Sequence, residues 1–199
     1  GAYCKVDGLE FKAPVKLPDG KIKVQMETET DSVTTSQIKP RYRIVNTGEV
    51  PVNLADVKVR YYYTLDGSGP QEFTYNEGSL PASLVTGILA PMTGVTPDAN
   101  YYLEIGFTED AGNLEPGKTI ELAVAITIQG DVYRQDNDFS FQPQPEGLID
   151  WAAAPGYVKN QLCWGSEPSL LANPGFEAGT TEGWFNFGES TVITITDET

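Results

Sequence analysis

Apolar and polar residues alternate with a period of two through most of this chain, in short runs broken by Gly, Pro, Asn and Asp. A strand turns successive side chains to opposite faces, so such runs predict β-strands with one buried face. The clearest cover residues 22–27, 41–46, 57–65, 101–107, 119–128, 139–142 and 192–196. Turn residues stand between them: Asn46-Thr47-Gly48, Asp66-Gly67, Asp110-Ala111-Gly112 and Glu115-Pro116-Gly117. No window carries a convincing amphipathic helix; the best, residues 149–154, is too short. Strands without intervening helices predict an antiparallel β-sandwich.

Three segments follow from changes of character. Residues 1–20, with the turn Leu17-Pro18-Asp19-Gly20, form an N-terminal extension with room for one strand. Residues 21–168 form the main β-domain. After Trp164-Gly165-Ser166-Glu167-Pro168 a linker and a new unit begin at Asn173-Pro174-Gly175-Phe176-Glu177 and occupy residues 169–199.

Composition narrows the chemistry. The 199 residues carry 13 Lys and Arg against 28 Asp and Glu, a net charge of −15, and no histidine. That removes Ser–His–Asp and Cys–His nucleophiles and His-ligated zinc. Carboxylate pairs and calcium remain open, since both need only Asp and Glu. The acidic balance repels phosphate backbones, anionic lipid and polyanionic glycans, so nucleic acid and membrane are excluded and neutral partners are expected. With 10 Tyr, 8 Phe and 3 Trp the chain is globular rather than disordered. No apolar run approaches the ~18 residues of a membrane-spanning helix. No signal peptide is visible, and the Gly1-Ala2 start fits a leader already removed. Cys4 and Cys163 allow one disulfide or two half-buried thiols.

Alternation also assigns faces. In residues 60–66, Tyr61, Tyr63 and Leu65 share one face; Arg60, Tyr62, Thr64 and Asp66 share the other, wetter one. In residues 102–107, Leu103, Ile105 and Phe107 point inward, leaving Tyr102 and Glu104 outward. Arg60, Tyr62, Tyr102 and Glu104 therefore line either a polar, aromatic-walled groove or an ion pair packed against tyrosines for stability. Thr64 and Asp66 at a strand end, with Asp136-Asn137-Asp138, supply the hard oxygen donors that calcium takes.

Several blocks carry a resemblance: Val45-Asn46-Thr47-Gly48, Arg60-Tyr61-Tyr62-Tyr63-Thr64-Leu65-Asp66-Gly67, Tyr102-Leu103-Glu104-Ile105-Gly106-Phe107, Gln135-Asp136-Asn137-Asp138-Phe139 and Trp164-Gly165-Ser166-Glu167-Pro168. In this order, over residues 22–168, the sequence resembles the family 3 carbohydrate-binding modules of cellulosomal scaffoldins and clostridial cellulases. The resemblance implies a jelly-roll β-sandwich of about nine strands, secreted, without catalysis, holding one structural calcium. It places that calcium at Thr64, Asp66, Arg134, Asn137 and Asp138. Arg134 departs from the family's Thr; a backbone carbonyl ligand tolerates the change, and Asp136 offsets the added charge. It also implies a shallow groove at Arg60, Tyr62, Tyr102 and Glu104.

The carbohydrate strip departs further. Cellulose-binding members set His, Tyr and Trp rings in a planar row, with an Asp and an Arg between. The matching positions read Glu77 for His, Asn76 for Asp, about Gly130 for Trp and about Val124 for Arg. The loop 79–88 holds no aromatic, so Tyr75 is the ring expected nearest the strip. Thr30 and Ser36 stand where Asn is usual. Carbohydrate contacts are thus assigned to Tyr75, Asn76 and Glu77, and also to the groove residues Arg60, Tyr62, Tyr102 and Glu104 on the face away from the cellulose surface. The tail from Asn173 resembles the opening of a second, galactose-binding-like module. Its Trp184, Phe185 and Phe187 are read as core rather than sugar platform.

Three readings follow. The first is a non-catalytic module binding cellulose or a related neutral plant glycan, weakly, and tethering a larger secreted protein of cell-wall degradation. The second is a helper module packed against neighbouring modules of the same polypeptide. The third is a protein-interaction module whose groove takes a Pro/Thr-rich linker. Catalysis by Glu77 or Glu104 with Asp66 has nothing to single it out among 28 acidic residues.

Overall fold

In the computed structural model, the described residues are 21–143 and 147–169, together with the backbone of Tyr3–Val6 and Leu9–Lys12, which pair antiparallel. The N-terminal region thus holds two strands where one was expected. The predicted strand 192–196 and the tail aromatics lie outside the described residues.

Eleven strands build two facing sheets: β1 (Ile22–Thr28), β2 (Gln37–Ile38), β3 (Pro40–Asn46), β4 (Val57–Tyr63), β5 (Gln71–Gly78), β6 (Val85–Thr96), β7 (Ala99–Phe107), β8 (Thr119–Ile128), β9 (Ile149–Asp150), β10 (Gly156–Val158) and β11 (Gln161–Trp164). One sheet runs β6-β7-β4-β10-β11. The other runs β9-β1-β3-β8, with β2 continuing beside β3 along one edge of β8 and β5 on its other edge. All pairings are antiparallel. Among the described residues there is no α-helix, only short 3-10 turns. The architecture is the expected all-β jelly-roll sandwich.

Period-two patterning explains the core. β1 and β3 alternate buried and half-buried along their whole length. Their inner residues Ile22, Val24, Met26, Tyr42 and Ile44 meet Val59, Tyr61, Tyr63, Leu103 and Ile105 of the opposite sheet in one cluster. Each such side chain taken from water contributes about 1.5–3 kcal/mol. The faces assigned to Tyr61, Tyr63, Leu103, Ile105 and Phe107 are those observed.

The sequence pattern ran past the end of one strand, predicted another at 139–142 that does not form, and missed others. β4 stops at Tyr63 because the Thr64 and Leu65 N–H groups donate to the side chains of Asp138 and Asn100, at 2.8 and 2.7 Å. Residues 139–142 are not a strand: the Phe139 N–H goes to the Asp98 carbonyl and the Ser140 N–H to that of Tyr62, so no ladder forms. β5, β6, β10 and β11 were not anticipated. β6 carries Gly87, Pro91 and Gly94, which disguise it; a Cβ at Gly87 would lie 2.4 Å from the Phe73 ring, so this crossing of β5 over β6 requires glycine. Cys163 carries a free, half-buried thiol that donates to the Gly156 carbonyl at 3.4 Å, and burial pushes its pKa up.

Candidate functional site

The end of β4 and the loop 134–138 converge on the first cluster. Thr64 Oγ1 donates to the Asn137 carbonyl (2.9 Å), and the Thr64 N–H to Asp138 Oδ1 (2.8 Å). Asp66 accepts from the Arg134 N–H (2.7 Å) and from Asn137 Nδ2 (2.9 Å). Thr64, Asp66, Arg134, Asn137 and Asp138 are therefore brought together. Two buried oxygens here, Asn137 Oδ1 and Asp138 Oδ2, have no hydrogen-bond partner. Burial, with Asp66 and Asp136 nearby, pushes the Asp138 carboxyl up to about 8 against the pull of the Thr64 N–H. A cation with an oxygen preference answers both deficits, so the residues fit calcium. Among the described residues no three carboxylate, His or Cys side chains converge; the donors are two carboxylates supplemented by amide, hydroxyl and carbonyl oxygens. The Arg134 guanidinium turns away to Asp136, with two bonds of 2.8 Å, leaving its backbone toward the cluster.

The second cluster lies on the outer face of the five-stranded sheet, where Tyr62 pairs with Tyr102 and Arg60 with Glu104 in register. Arg60 donates to Glu104 Oε2 through Nε (2.9 Å) and Nη2 (2.8 Å), and Lys58 holds the other carboxylate oxygen at 2.8 Å. The Arg60 guanidinium lies 4.6 Å from the Tyr102 ring centre and 4.8 Å from that of Tyr157. Glu167 Oε1 accepts from Tyr157 Oη (2.5 Å), Tyr62 Oη (3.1 Å) and Arg60 Nη1 (3.4 Å). A groove of about 600 Å³ opens above, between these residues and Met92, Thr93 and Pro168. Groove and packed ion pair are thus one object. Tyr62 and Glu104 are buried at 3% and 9% exposure, so Arg60 and Tyr102 are the members that present surface. Tyr157 and Glu167 join them, which no local pattern signals. Tyr157 arrives because β10 pairs with β4 about a hundred residues away, opposite Lys58.

Burial pushes the Glu104 carboxyl upward, but the hydrogen bonds from Lys58 and Arg60 outweigh it and hold its pKa below the ordinary range. A depressed carboxyl stabilises the fold above its unfolded pKa of about 4.3 and loses that contribution as pH falls through the folded value. Glu104→Gln is expected to cost about 2 kcal/mol near neutral pH, since hydrogen bonds to charged groups are worth roughly that. In urea titrations the gap from wild type should narrow as pH drops below about 4; a gap constant with pH would contradict the assignment.

The third region is the outer face of the six-stranded sheet. Cross-strand pairs place residues in rows. One row is Glu121–Arg43–Gln25–Asp150, closed by hydrogen bonds of 2.7, 3.2 and 2.8 Å. The next is Glu77–Ala123–Arg41–Glu27. Beyond it stand Thr74 beside Ala125 and Glu72–Thr127–Gln37. No aromatic side chain occupies these rows. Tyr75 turns inward: it pairs with buried Val124, packs on the core and donates its hydroxyl to the Leu80 carbonyl at 2.6 Å. The expectation of a ring beside the strip is corrected here, because a bulge at Asn76 separates Tyr75 from Glu77 by one register step. Asn76 and Glu77 are exposed.

With this geometry in place, the likenesses to known proteins can be weighed. A family model described as Cellulose binding domain matches residues 23–165. The chain is 41% identical over 150 residues to Exoglucanase-2 of Thermoclostridium stercorarium, covering 75% of this chain and 16% of that protein. It is 37% identical over 155 residues to a Paenibacillus Xyloglucanase, covering 77% of this chain and 15% of that one. It thus spans about one sixth of each. Among solved structures, a family 3b carbohydrate-binding module of the major scaffoldin subunit from Acetivibrio cellulolyticus superposes with a TM-score of 0.71 at 34% identity, covering 74% of this chain and 97% of that one. A family 3a module from the Clostridium thermocellum scaffoldin gives 0.68 at 32%, covering 73% and 100%. Matching sequence over the whole sandwich, and matching fold at this identity, have one explanation: the chain belongs to the cellulose-binding-domain family, the non-catalytic carbohydrate-binding modules of family 3.

Proposed function

We propose that this chain tethers a larger secreted, multimodular protein of plant cell-wall degradation to a neutral polysaccharide, cellulose or a related β-glucan. The observation that supports this most is the outer face of the six-stranded sheet, with its rows of Glu, Arg, Gln, Asp and Thr side chains, in a chain of this family. Relatives named as an exoglucanase and a xyloglucanase carry a similar segment as a small part of their length, which supports a tethering role beside other modules. One calcium held by Thr64, Asp66, Asn137, Asp138 and the Arg134 backbone would tie the end of β4 to the 134–138 loop. Nucleic acid and membrane are not proposed as partners.

Pull-down on microcrystalline and amorphous cellulose, xylan and xyloglucan, with and without chelator, tests the reading. Retention on at least one of them is expected, and retention on none overturns it. The ring-free face favours a second reading, a helper module resting on its neighbours; retention only when a neighbouring module is present would select it. The division into residues 1–20, 21–168 and 169–199, the last beginning a second module, is likewise proposed. Truncation after Pro168 keeps the Glu167 contacts, so stability should change by less than about 1 kcal/mol on the scale of surface changes. Unfolding of the truncated chain would show that the tail belongs to the sandwich.

A further inference from the structure

Two neighbouring rows on the outer face of the six-stranded sheet differ in one respect. Glu121–Arg43–Gln25–Asp150 is closed by hydrogen bonds, whereas Arg41 in the adjacent row lies 3.7 Å from Glu27 and 3.9 Å from Glu77 and makes no hydrogen bond to any described residue. The reason is in the sequence. Ala123 stands between Arg41 and Glu77 in the row and is too short to bridge them. The bulge at Asn76 re-aims the end of β5, and Ser79 pins it, its N–H donating to the Glu121 carbonyl (2.8 Å) and its Oγ accepting from the Glu121 N–H (2.9 Å). Gly78 lets β5 approach β8 this closely, since a Cβ there would lie 2.4 Å from the Glu121 carbonyl oxygen. The result is a hollow of about 300 Å³ lined by Arg41, Glu77, Gly78, Ser79, Glu121 and Ala123. That volume is at the small end for ligand pockets and suits one sugar residue rather than a length of chain.

We propose that this hollow is a hydrogen-bonding subsite for a single neutral pyranose residue of the bound polysaccharide. Adjacent sugar hydroxyls can accept from the unused Arg41 donors and donate to the Glu77 carboxylate, filling a gap that the ion pair leaves at 3.9 Å. An acidic sugar is disfavoured because Arg41, the one cation lining the hollow, already faces Glu27 and Glu77, while Glu121 is held by Arg43. Recognition here depends on hydroxyl positions and not on a ring face, so it selects single accessible chains or branches over the packed surface of a crystal. This rests on the polysaccharide-binding reading above and sharpens it.

Affinity electrophoresis of the full chain in gels containing xyloglucan, glucomannan or hydroxyethylcellulose tests it. Arg41→Met and Glu77→Gln, both at the surface, should each weaken retardation at least tenfold against the best polysaccharide while leaving the melting temperature near that of wild type. If the wild type is retarded and both variants are retarded equally, the subsite is wrong and the binding reading stands. Loss in Tyr102→Ala with both variants unaffected moves the site to the opposite groove and also overturns it. A wild type retarded by no polysaccharide overturns subsite and binding reading together.

Discussion

Excess EGTA is expected to lower the stability of this protein by about 4 kcal/mol relative to a solution holding calcium at a thousand times its dissociation constant. For a domain of this size that is roughly 8–16 °C in melting temperature. The expectation comes from two buried oxygens, Asn137 Oδ1 and Asp138 Oδ2, that no described residue satisfies. An ion bound there binds the folded state alone, because the unfolded chain does not hold Thr64 and Asp66 against residues 134–138. Asp138→Ala should abolish the calcium-dependent shift. Superimposable melting curves with and without chelator, on protein freed of metal beforehand, would dispose of the calcium assignment.

Adsorption to microcrystalline cellulose is expected to be about a thousandfold weaker than that of a module bearing a full aromatic row. Three missing ring stacks at about 1.4 kcal/mol each amount to that factor. The rows on the outer face of the six-stranded sheet hold Glu, Asp, Arg, Thr, Gln and Ala, and the one nearby tyrosine faces the core. Depletion isotherms on washed microcrystalline cellulose measure it directly. Tight, saturable adsorption would mean that the crystal is gripped by another face, or by residues outside those described.

What was legible in the sequence is what depends on nearest neighbours. Tyr61 and Tyr63 inward, Arg60 and Tyr62 outward, follow from strand periodicity alone. What was not legible depends on pairing across the chain. The row Glu77–Ala123–Arg41–Glu27 joins four strands drawn from four parts of the sequence, and no local pattern gives their register. Tyr75 was misplaced for the same reason: a single extra residue at Asn76 decides which face it serves. Residues 139–142 look like a strand, yet the Ser140 side chain bonds the Tyr62 N–H and the Ala153 carbonyl, a side-chain tie in place of a ladder. The groove was half read, because Tyr157 and Glu167 enter it from a hairpin whose partner strand is remote.

The bonds of Glu167 have a mechanical consequence. Among the described strands, β11 is an edge strand that pairs with β10 alone. A pull on the C-terminal end would otherwise peel β11 from β10 one hydrogen bond at a time, the geometry in which a hairpin yields at the lowest load. Glu167 lies past the end of that strand, fastened to Tyr157, Tyr62 and Arg60, and the Ser166 N–H is fastened to the Ala152 carbonyl. Tension therefore reaches these four bonds together before it reaches the hairpin, and Arg60 and Tyr62 pass it to β4 in the middle of the sheet. A pull applied beyond Glu167 is thus carried to the centre of the sheet and does not unravel it from the rim.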